Sequence, residues 1–225
     1  MNVPLGVGER AWRDCFEAMA SNHRHDMFGL NEILNGHSQR VIAECAKAFG
    51  YSQWSRGPNP IFWVASKYDL AAGLRVDLHG HGPNYRKWPG YNAARYADLA
   101  VLRPKQKDTL PVAFIETHWA PRGKKVPADW RNWAWEVSAT KVSMLVKQQV
   151  EAGRIVVVAG DFNMAGRPAI DGVTWLSTAG VDKLAVAIPE GYDLTSYKTD
   201  RIPAPTDHGS GVTALLTVTS SKEKP

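Results

Sequence analysis

Long apolar runs are missing from this chain of 225 residues, and cysteine is scarce. No stretch approaches the ~18 to 20 apolar residues that a membrane-spanning helix requires. The two cysteines, Cys15 and Cys45, lack the close spacing of metal ligands, so we interpret both as reduced side chains that pack in the core. Residues 1–4 show no signal-peptide pattern. We therefore expect a cytoplasmic protein without a membrane partner.

Repeats and low-complexity segments are also missing, and neither sign of charge dominates. Lys and Arg number 27 against 22 Asp and Glu, which gives a net charge of +5. This mild excess is compatible with a polyanionic partner and equally with an ordinary solvated surface. A chain of this length is expected to form one domain. We place that domain at residues 1–220, with residues 221–225 as a frayed tail, and expect a monomer.

Hydrophobic periodicity predicts helices at residues 9–24 and 38–49, the second with Ser38 as a possible N-cap. A third and longest helix is predicted to open at Pro127. Its apolar stripe is predicted to contain Trp130, Trp133, Val137, Lys141, Met144 and Leu145. Strands are predicted at residues 26–33, 61–66, 70–78, 96–102, 112–117, 154–159, 173–176, 182–187 and 212–218.

The most informative segment, residues 156–163, is an apolar run that ends in Gly-Asp-Phe-Asn. The run is typical of a buried strand. Asp161 and Asn163 follow it at spacing i and i+2, so their side chains point the same way. A strand that presents Asp and Asn at its end is a common way to build a phosphate or metal site. The alternative is a plain turn, because both residues favour turns.

Three other segments place ionisable groups at the end of, or just before, a β-like run. They contain Asn31-Glu32, Thr117-His118 and Thr206-Asp207-His208. Together with Gly160-Asp161-Phe162-Asn163, this series resembles the endonuclease/exonuclease/phosphatase superfamily, which includes pancreatic-type deoxyribonuclease. The resemblance extends from Asn2-Val3 through Val181-Asp182-Lys183 to about residue 218, with Asn31 in place of the usual Gln and Thr206 in place of Ser.

The resemblance implies an α+β fold: a four-layer α/β/β/α sandwich of two mixed β-sheets flanked by helices. The active site would lie at one edge, where loops from both sheets converge. The resemblance also implies Mg²⁺ (or Mn²⁺) held by Glu32 and Asp207 with Asn2 beside them. Oxygen ligation of this kind favours these ions over zinc.

The same resemblance gives roles to the other polar residues. Asp161 would orient or deprotonate the attacking water, and Asn163 would donate its amide to a phosphate oxygen. His118 and His208 would stabilise the charge on phosphorus or protonate the leaving oxygen, with Asp182 orienting His208.

The orienting partner of His118 stays open, because residues 66–115 contain no Glu. Tyr96 and Asp98 reproduce a Tyr-x-acid pattern of the deoxyribonuclease branch. We take Tyr96 and Arg95 as candidates for contacting substrate phosphate, and Asp98 as a possible orienter. His79 and His81 have no further ligand at suitable spacing, so we interpret them as loop residues and not as a zinc site.

The sequence therefore favours a metal-dependent phosphodiesterase that acts on nucleic acid, with a DNA endonuclease as the leading hypothesis. A loop rich in cations and aromatics around residues 75–95 supports this partner, because such a mixture can track a nucleic-acid backbone and stack bases. Two alternatives remain. One is a phosphatase or phosphodiesterase for a small or lipid phosphate, and the other is a catalytically weak nucleic-acid-binding module that retains the fold.

Overall fold

The computed structural model describes residues 9–21, 25–33, 36–88, 92–123, 126–177, 180–203 and 210–221. These residues form three α-helices: α1 (Glu9–Ala20), α2 (Gly36–Ala48) and α3 (Ala128–Glu151). They also form eleven strands: β1 (Met27–Gly29), β2 (Tyr51–Trp54), β3 (Ile61–Val64), β4 (Tyr68–His79), β5 (Arg95–Pro104), β6 (Val112–His118), β7 (Ile155–Asp161), β8 (Thr174–Ser177), β9 (Asp182–Ala187), β10 (Tyr192–Pro203) and β11 (Ser210–Ser220).

The largest sheet has six strands in the order β4-β5-β6-β7-β9-β8. Its only parallel pair is β6–β7, which α3 connects, as a crossover between parallel strands requires. Every residue of β6 is buried because both faces of the sheet are covered. One face packs on α3 through Val142 and Val146, which belong to the same core cluster as Ile115 and Val158.

The other face of this sheet packs against a second β-layer. Ile61 and Trp63 of β3 pack with Ala100 and Phe114, and the β10–β11 ribbon packs on β8 and β9. In the described residues this layer consists of two antiparallel ladders, β1-β3-β2 and β10-β11. Helices α1 and α2 cover the three-stranded ladder on its outer side. The layer order is therefore helix, sheet, sheet, helix, and the predicted α+β sandwich is confirmed.

The two cysteines also behave as predicted. Neither Cys15 nor Cys45 forms a disulfide in the part of the chain that the structure describes, and both are buried in the cluster that joins α1 and α2 to the second β-layer. Burial raises the pKa of Cys15 to about 11, so its thiol stays protonated and inert. No helix in the described ranges is long and apolar enough to cross a membrane.

The sequence reading missed two strands and misplaced one helical face. Neither strand β2 nor strand β10 was predicted. Strand β10 was missed because it is largely exposed and polar along most of its length. The predicted stripe of α3 is wrong at Trp133, which is 48% exposed, and at Met144, which is 58% exposed, whereas Leu145 is buried as predicted. The buried face is instead formed by smaller side chains: Ala134, Ser138, Ala139, Val142, Leu145, Val146 and Gln149. Helix α2 starts at Gly36, so Ser38 lies inside the helix and is not its cap.

Strands β6 and β7 approach so closely that one position must be glycine. A Cβ at Gly160 would lie 1.9 Å from the Thr117 carbonyl oxygen, and Gly160 has a φ of +144°. Both the contact and the backbone conformation exclude an L side chain there. The close approach brings the ends of these two strands, His118 and Asp161, side by side.

We expect Gly160→Ala to cost more than about 4 kcal/mol of unfolding free energy, because the clash is with backbone and cannot relax. Gly153→Ala is the matched control, since Gly153 also has a positive φ of +73° but a Cβ there would meet no atom within 4 Å. That change should cost only about 1 kcal/mol. Urea denaturation of both variants measures the difference, and equal losses would contradict the close-approach explanation.

Candidate active site

The polar residues at the ends of β6 and β7 meet a loop residue from the second β-layer. His118 ends β6, Asp161 ends β7, and Glu32 follows β1 by three residues. The His118 Nε2 atom lies 3.6 Å from Asp161 Oδ2 and 3.8 Å from Glu32 Oε1. Two carboxylates therefore flank one imidazole, and both layers of the sandwich contribute to this point. Glu32 and Asp161, and not the candidate Asp98, therefore lie beside His118.

The side chain of Asn31 joins the two layers beneath this site. It is fully buried, and its Oδ1 accepts a hydrogen bond from the backbone N–H of Asp161 at 3.1 Å. Its Nδ2 donates to the Thr117 carbonyl and to Asn59 Oδ1, both at 3.3 Å. One carboxamide thus satisfies backbone groups of both β6 and β7 from the opposite layer. The sequence marked Asn31 only as a replacement within a motif, and did not reveal this role.

Two site residues have a backbone in the left-handed region. Glu32 has a φ of 66° and Asn163 a φ of 51°. For residues other than glycine this conformation costs on the order of 1 kcal/mol and is found at functional positions. The Asn163 N–H donates to Asp161 Oδ1 at 2.8 Å, and its Nδ2 donates to the Trp119 carbonyl at 3.1 Å. An amide carries two N–H donors, so the second remains suited to an anion.

Arg95 supplies positive charge beside the two carboxylates. It starts β5, and burial lowers the pKa of its guanidinium while the nearby Glu32 and Asp161 act in the opposite direction. Its neighbour Tyr96 lies at the same strand end, where its carbonyl accepts hydrogen bonds from Thr117 Oγ1 at 3.2 Å and Asn59 Nδ2 at 3.4 Å. Both candidates for phosphate contact therefore lie at the edge where β6 and β7 end.

Asp98 is placed differently from our expectation for an orienter of His118. Its carboxylate is fully buried and accepts hydrogen bonds from Arg75 Nε and Nη2, both at 3.0 Å. The Arg75 guanidinium also lies 4.7 Å from the centre of the Tyr96 ring. Asp98 and Arg75 thus form a partly buried ion pair next to the Tyr96 ring.

Asp182 is buried and pairs directly with Asp161 across the β7–β9 ladder. Like charges placed opposite each other in a ladder repel. The adjacent Lys183 is also buried and donates from Nζ to the Gly180 carbonyl. Burial lowers the pKa of this ammonium, and the negative charges of Asp161 and Asp182 oppose that shift. Lys183 therefore offsets part of the negative charge of the pair.

Glu116 is a further acid that the sequence reading overlooked, although it interrupts the apolar β6 run. It is fully buried on the same face as His118, two residues earlier in the strand. Gly29 presses against it, since a Cβ there would lie 2.0 Å from Glu116 Oε2. Burial, with a smaller contribution from the charge of Asp182, raises the pKa of Glu116 to about 7, and the Asn31 amide offsets this only in part.

Three predicted residues, Asn2, Asp207 and His208, lie outside the described residues. Within the described ranges no group of three or more His, Cys, Asp or Glu side chains has the arrangement of a metal site. Glu32 and Asp161 nevertheless converge beside a single imidazole. Their carboxylate oxygens fit a hard cation such as Mg²⁺ or Mn²⁺, and a site with one more carboxylate would fit it better.

No protein-family model matches the chain, and no curated protein sequence matches it either. Solved structures do match, over nearly the whole chain. An endonuclease/exonuclease/phosphatase family protein from Bacteroides thetaiotaomicron is similar with 17% identity and a TM-score of 0.66, covering 96% of this chain and 94% of that one. A mannosyl-6-phosphatase from the same organism is similar with 18% identity and a TM-score of 0.67, covering 96% and 97%.

D. rerio TDP2, in a complex with a single strand DNA product, is similar with 11% identity and a TM-score of 0.66, covering 96% of this chain and 94% of that one. At these identities the likeness defines the fold. The chain therefore has the fold of the endonuclease/exonuclease/phosphatase proteins, as its motifs indicated.

We expect Asn31→Ala to cost about 2 to 4 kcal/mol of unfolding free energy, because it removes the buried hydrogen bonds of this carboxamide with the Asp161 N–H, the Thr117 carbonyl and Asn59. The exposed Asn132→Ala on α3 is the control and should change stability by less than about 0.5 kcal/mol. Denaturant unfolding measures both. A loss as small as that of the control would show that Asn31 does not hold the layers together.

Glu116→Gln tests the buried carboxyl. The folded-state pKa of Glu116 lies above its ordinary value near 4.5, so the folded protein binds this proton more tightly than the unfolded chain. Its contribution to stability is intact below about pH 4.5 and is lost as pH rises through about 7. As pH rises from acid to mildly alkaline, the unfolding free energy of the Gln variant should therefore increase relative to that of the wild type by on the order of 3 kcal/mol.

The exposed Glu136→Gln is the matched control, and its stability difference from the wild type should hardly change with pH. Unfolding free energies measured across this pH range give both curves. If the difference between Glu116→Gln and the wild type did not vary with pH, the buried carboxyl would titrate as it does in the unfolded chain.

Proposed function

We propose that the chain is a divalent-metal-dependent phosphodiesterase that hydrolyses nucleic acid, most simply as a DNA endonuclease. The observation that carries this proposal is the convergence of Glu32, His118 and Asp161 from two layers at one edge of the fold. The guanidinium of Arg95 lies near the same two carboxylates, so a phosphate diester bound at this edge would meet positive charge as well as the imidazole. The likeness to D. rerio TDP2 with its single strand DNA product supports nucleic acid as the substrate.

Glu32 would hold Mg²⁺ or Mn²⁺ together with Asp207 and Asn2. When bound, such an ion neutralises the phosphate and polarises its P–O bonds. Asp161 accepts a hydrogen bond from the attacking water and takes its proton, as the oxygen–phosphorus bond forms. Its orientation for this task is fixed by the Asn163 N–H on one oxygen and by the Asn31 side chain on its own backbone.

The leaving oxygen needs a proton as the phosphorus–oxygen ester bond breaks. We assign that proton to His208, oriented by Asp182, and assign to His118 the stabilisation of the charge on the non-bridging oxygens. The two carboxylates beside His118 hold its imidazole at this edge. Arg95, Asn163 and Tyr96 contact the same phosphate oxygens, and the arginine adds fixed positive charge at this edge.

A phosphatase acting on a small phosphate monoester is the second candidate. The observation that favours it is the likeness to the mannosyl-6-phosphatase, whose TM-score equals that of the nucleic-acid-bound protein to within 0.01. One fold hosts both activities, so substrate choice depends on the surface around the site. The cationic and aromatic residues on that surface favour nucleic acid.

The purified chain should nick supercoiled plasmid in Mg²⁺ or Mn²⁺, and EDTA should stop the reaction. Asp161→Asn and His118→Gln should each lower the rate by at least ~100-fold, because they remove a proton acceptor or an ionisable ring, and the melting temperature of each variant checks that it remains folded. The exposed Asp200→Asn on β10 is the control for charge alone and should keep full activity. Turnover of p-nitrophenyl phosphate with intact plasmid would instead identify a phosphatase.

A further inference from the structure

Aromatic side chains gather where α3 begins and β4 ends, with His79 buried and Trp133 exposed. The His79 ring lies 5.2 Å from the Trp130 ring and 6.2 Å from the Trp133 ring, and the two indoles lie 6.4 Å apart. Tyr85 and His81 stack on each other at 3.7 Å in the adjoining loop. These five residues, His79, His81, Tyr85, Trp130 and Trp133, are called the aromatic ledge below.

The loop and the helix of the aromatic ledge are packed together. Gly82 lies so close to Trp130 that a Cβ there would come within 2.5 Å of the indole. Trp133 is nonetheless 48% exposed, which is unusual for so large an apolar side chain. The ledge is therefore held in place by its own contacts while one indole stays open to solvent.

The aromatic ledge adjoins the candidate active site. His79 pairs with Arg95 across the β4–β5 ladder, and Arg95 is the cation that lies near Glu32 and Asp161. On the helix side, Trp135 Nε1 donates to the Ala120 carbonyl at 2.8 Å, two residues beyond His118. A linear substrate that leaves the site across this edge reaches the ledge directly.

The charge around the aromatic ledge is positive. Arg131 and Arg122 both lie over the Trp135 ring, with guanidinium carbons 5.2 Å and 5.9 Å from the ring centre. Neither arginine takes part in an ion pair with any residue that the structure describes. The described segments 79–88, 119–123 and 126–136 carry four cations, Arg86, Lys87, Arg122 and Arg131, against two acids, Asp129 and Glu136.

We infer that the aromatic ledge binds the bases of a single-stranded nucleic acid while the neighbouring cations hold its phosphates. The inference rests on the proposed function and specifies its substrate. Aromatic rings stack on unpaired bases of any sequence, whereas bases inside a duplex already stack on one another. The excess of cations selects a polyanion over an apolar partner.

Anisotropy of a labelled DNA strand of about 12 nucleotides, measured in EDTA, separates binding from cleavage. Trp133→Ala should weaken binding about 5- to 100-fold, and Trp133→Phe should retain most of it because the ring remains. Met144→Ala, at a position 58% exposed on the same helix, is the matched control and should bind as the wild type does. Arg131→Gln should reduce the slope of log affinity against log salt by about 0.7.

Hydrolysis of bis-p-nitrophenyl phosphate by the same variants distinguishes failure of the ledge from failure of the proposed function. If the wild type cleaves this small diester and Trp133→Ala binds the strand unchanged, the ledge inference is overturned and the activity stands. If the wild type cleaves no phosphate ester, the proposed function is wrong. The anisotropy measurement then still shows whether the aromatic ledge binds single-stranded nucleic acid. If Trp133→Ala weakened the binding of duplex DNA, or of an acidic peptide, by the same factor as the binding of the single strand, the inference would also be overturned.

Discussion

The arrangement of this protein depends on one buried carboxamide that connects its two β-layers. Asn31 bonds the backbone of Asp161 in β7 and of Thr117 in β6 from a segment that belongs to the opposite layer. Apolar contacts between sheets have no preferred direction and leave their relative position loosely defined. Hydrogen bonds in a buried place do have direction, and leaving them unmade is costly. Because Glu32 is the next residue after Asn31, the same bonds determine where Glu32 lies relative to His118 and Asp161.

Backbone geometry gives the site its second constraint. Gly160 allows β6 and β7 to approach at their ends, so that His118 and Asp161 become neighbours in a parallel pair. Glu32 and Asn163 then adopt left-handed conformations that ordinary residues avoid. The fold thus gives up some stability to orient two polar side chains at the place where the proposed chemistry occurs. Buried charges nearby, including Glu116 and the Asp98–Arg75 pair, add to that cost.

The candidate site and the aromatic ledge are continuous along one edge of the fold. The strand end that carries Arg95 also pairs with His79, and the segment after His118 is bound by Trp135 of α3. A fold shared by a sugar-phosphate phosphatase and by a protein that holds DNA gives no preference between these substrates by itself. The side chains that rim the site make that choice. In our proposal, the cations and the exposed Trp133 beside the site favour a flexible polyanion with bases.

The order of motifs along the chain was enough to predict the fold. Apolar runs that end in Glu, His or Asp-x-Asn mark strand ends, and their order matches one known sandwich. The contacts among these groups, in contrast, follow from the packing of the layers. Glu32 is 86 residues from His118 in sequence, yet it flanks that imidazole because Asn31 bonds to β6 and β7. Glu116 and Asn59 likewise acquire their roles from neighbours remote in sequence, and the exposed Trp133 was misread as core because periodicity cannot tell which helical face meets the sheet. The hydrophobic pattern of a segment indicates how often its residues are buried. The partners of a buried polar group depend instead on how the layers pack against each other, and only the folded molecule specifies that packing.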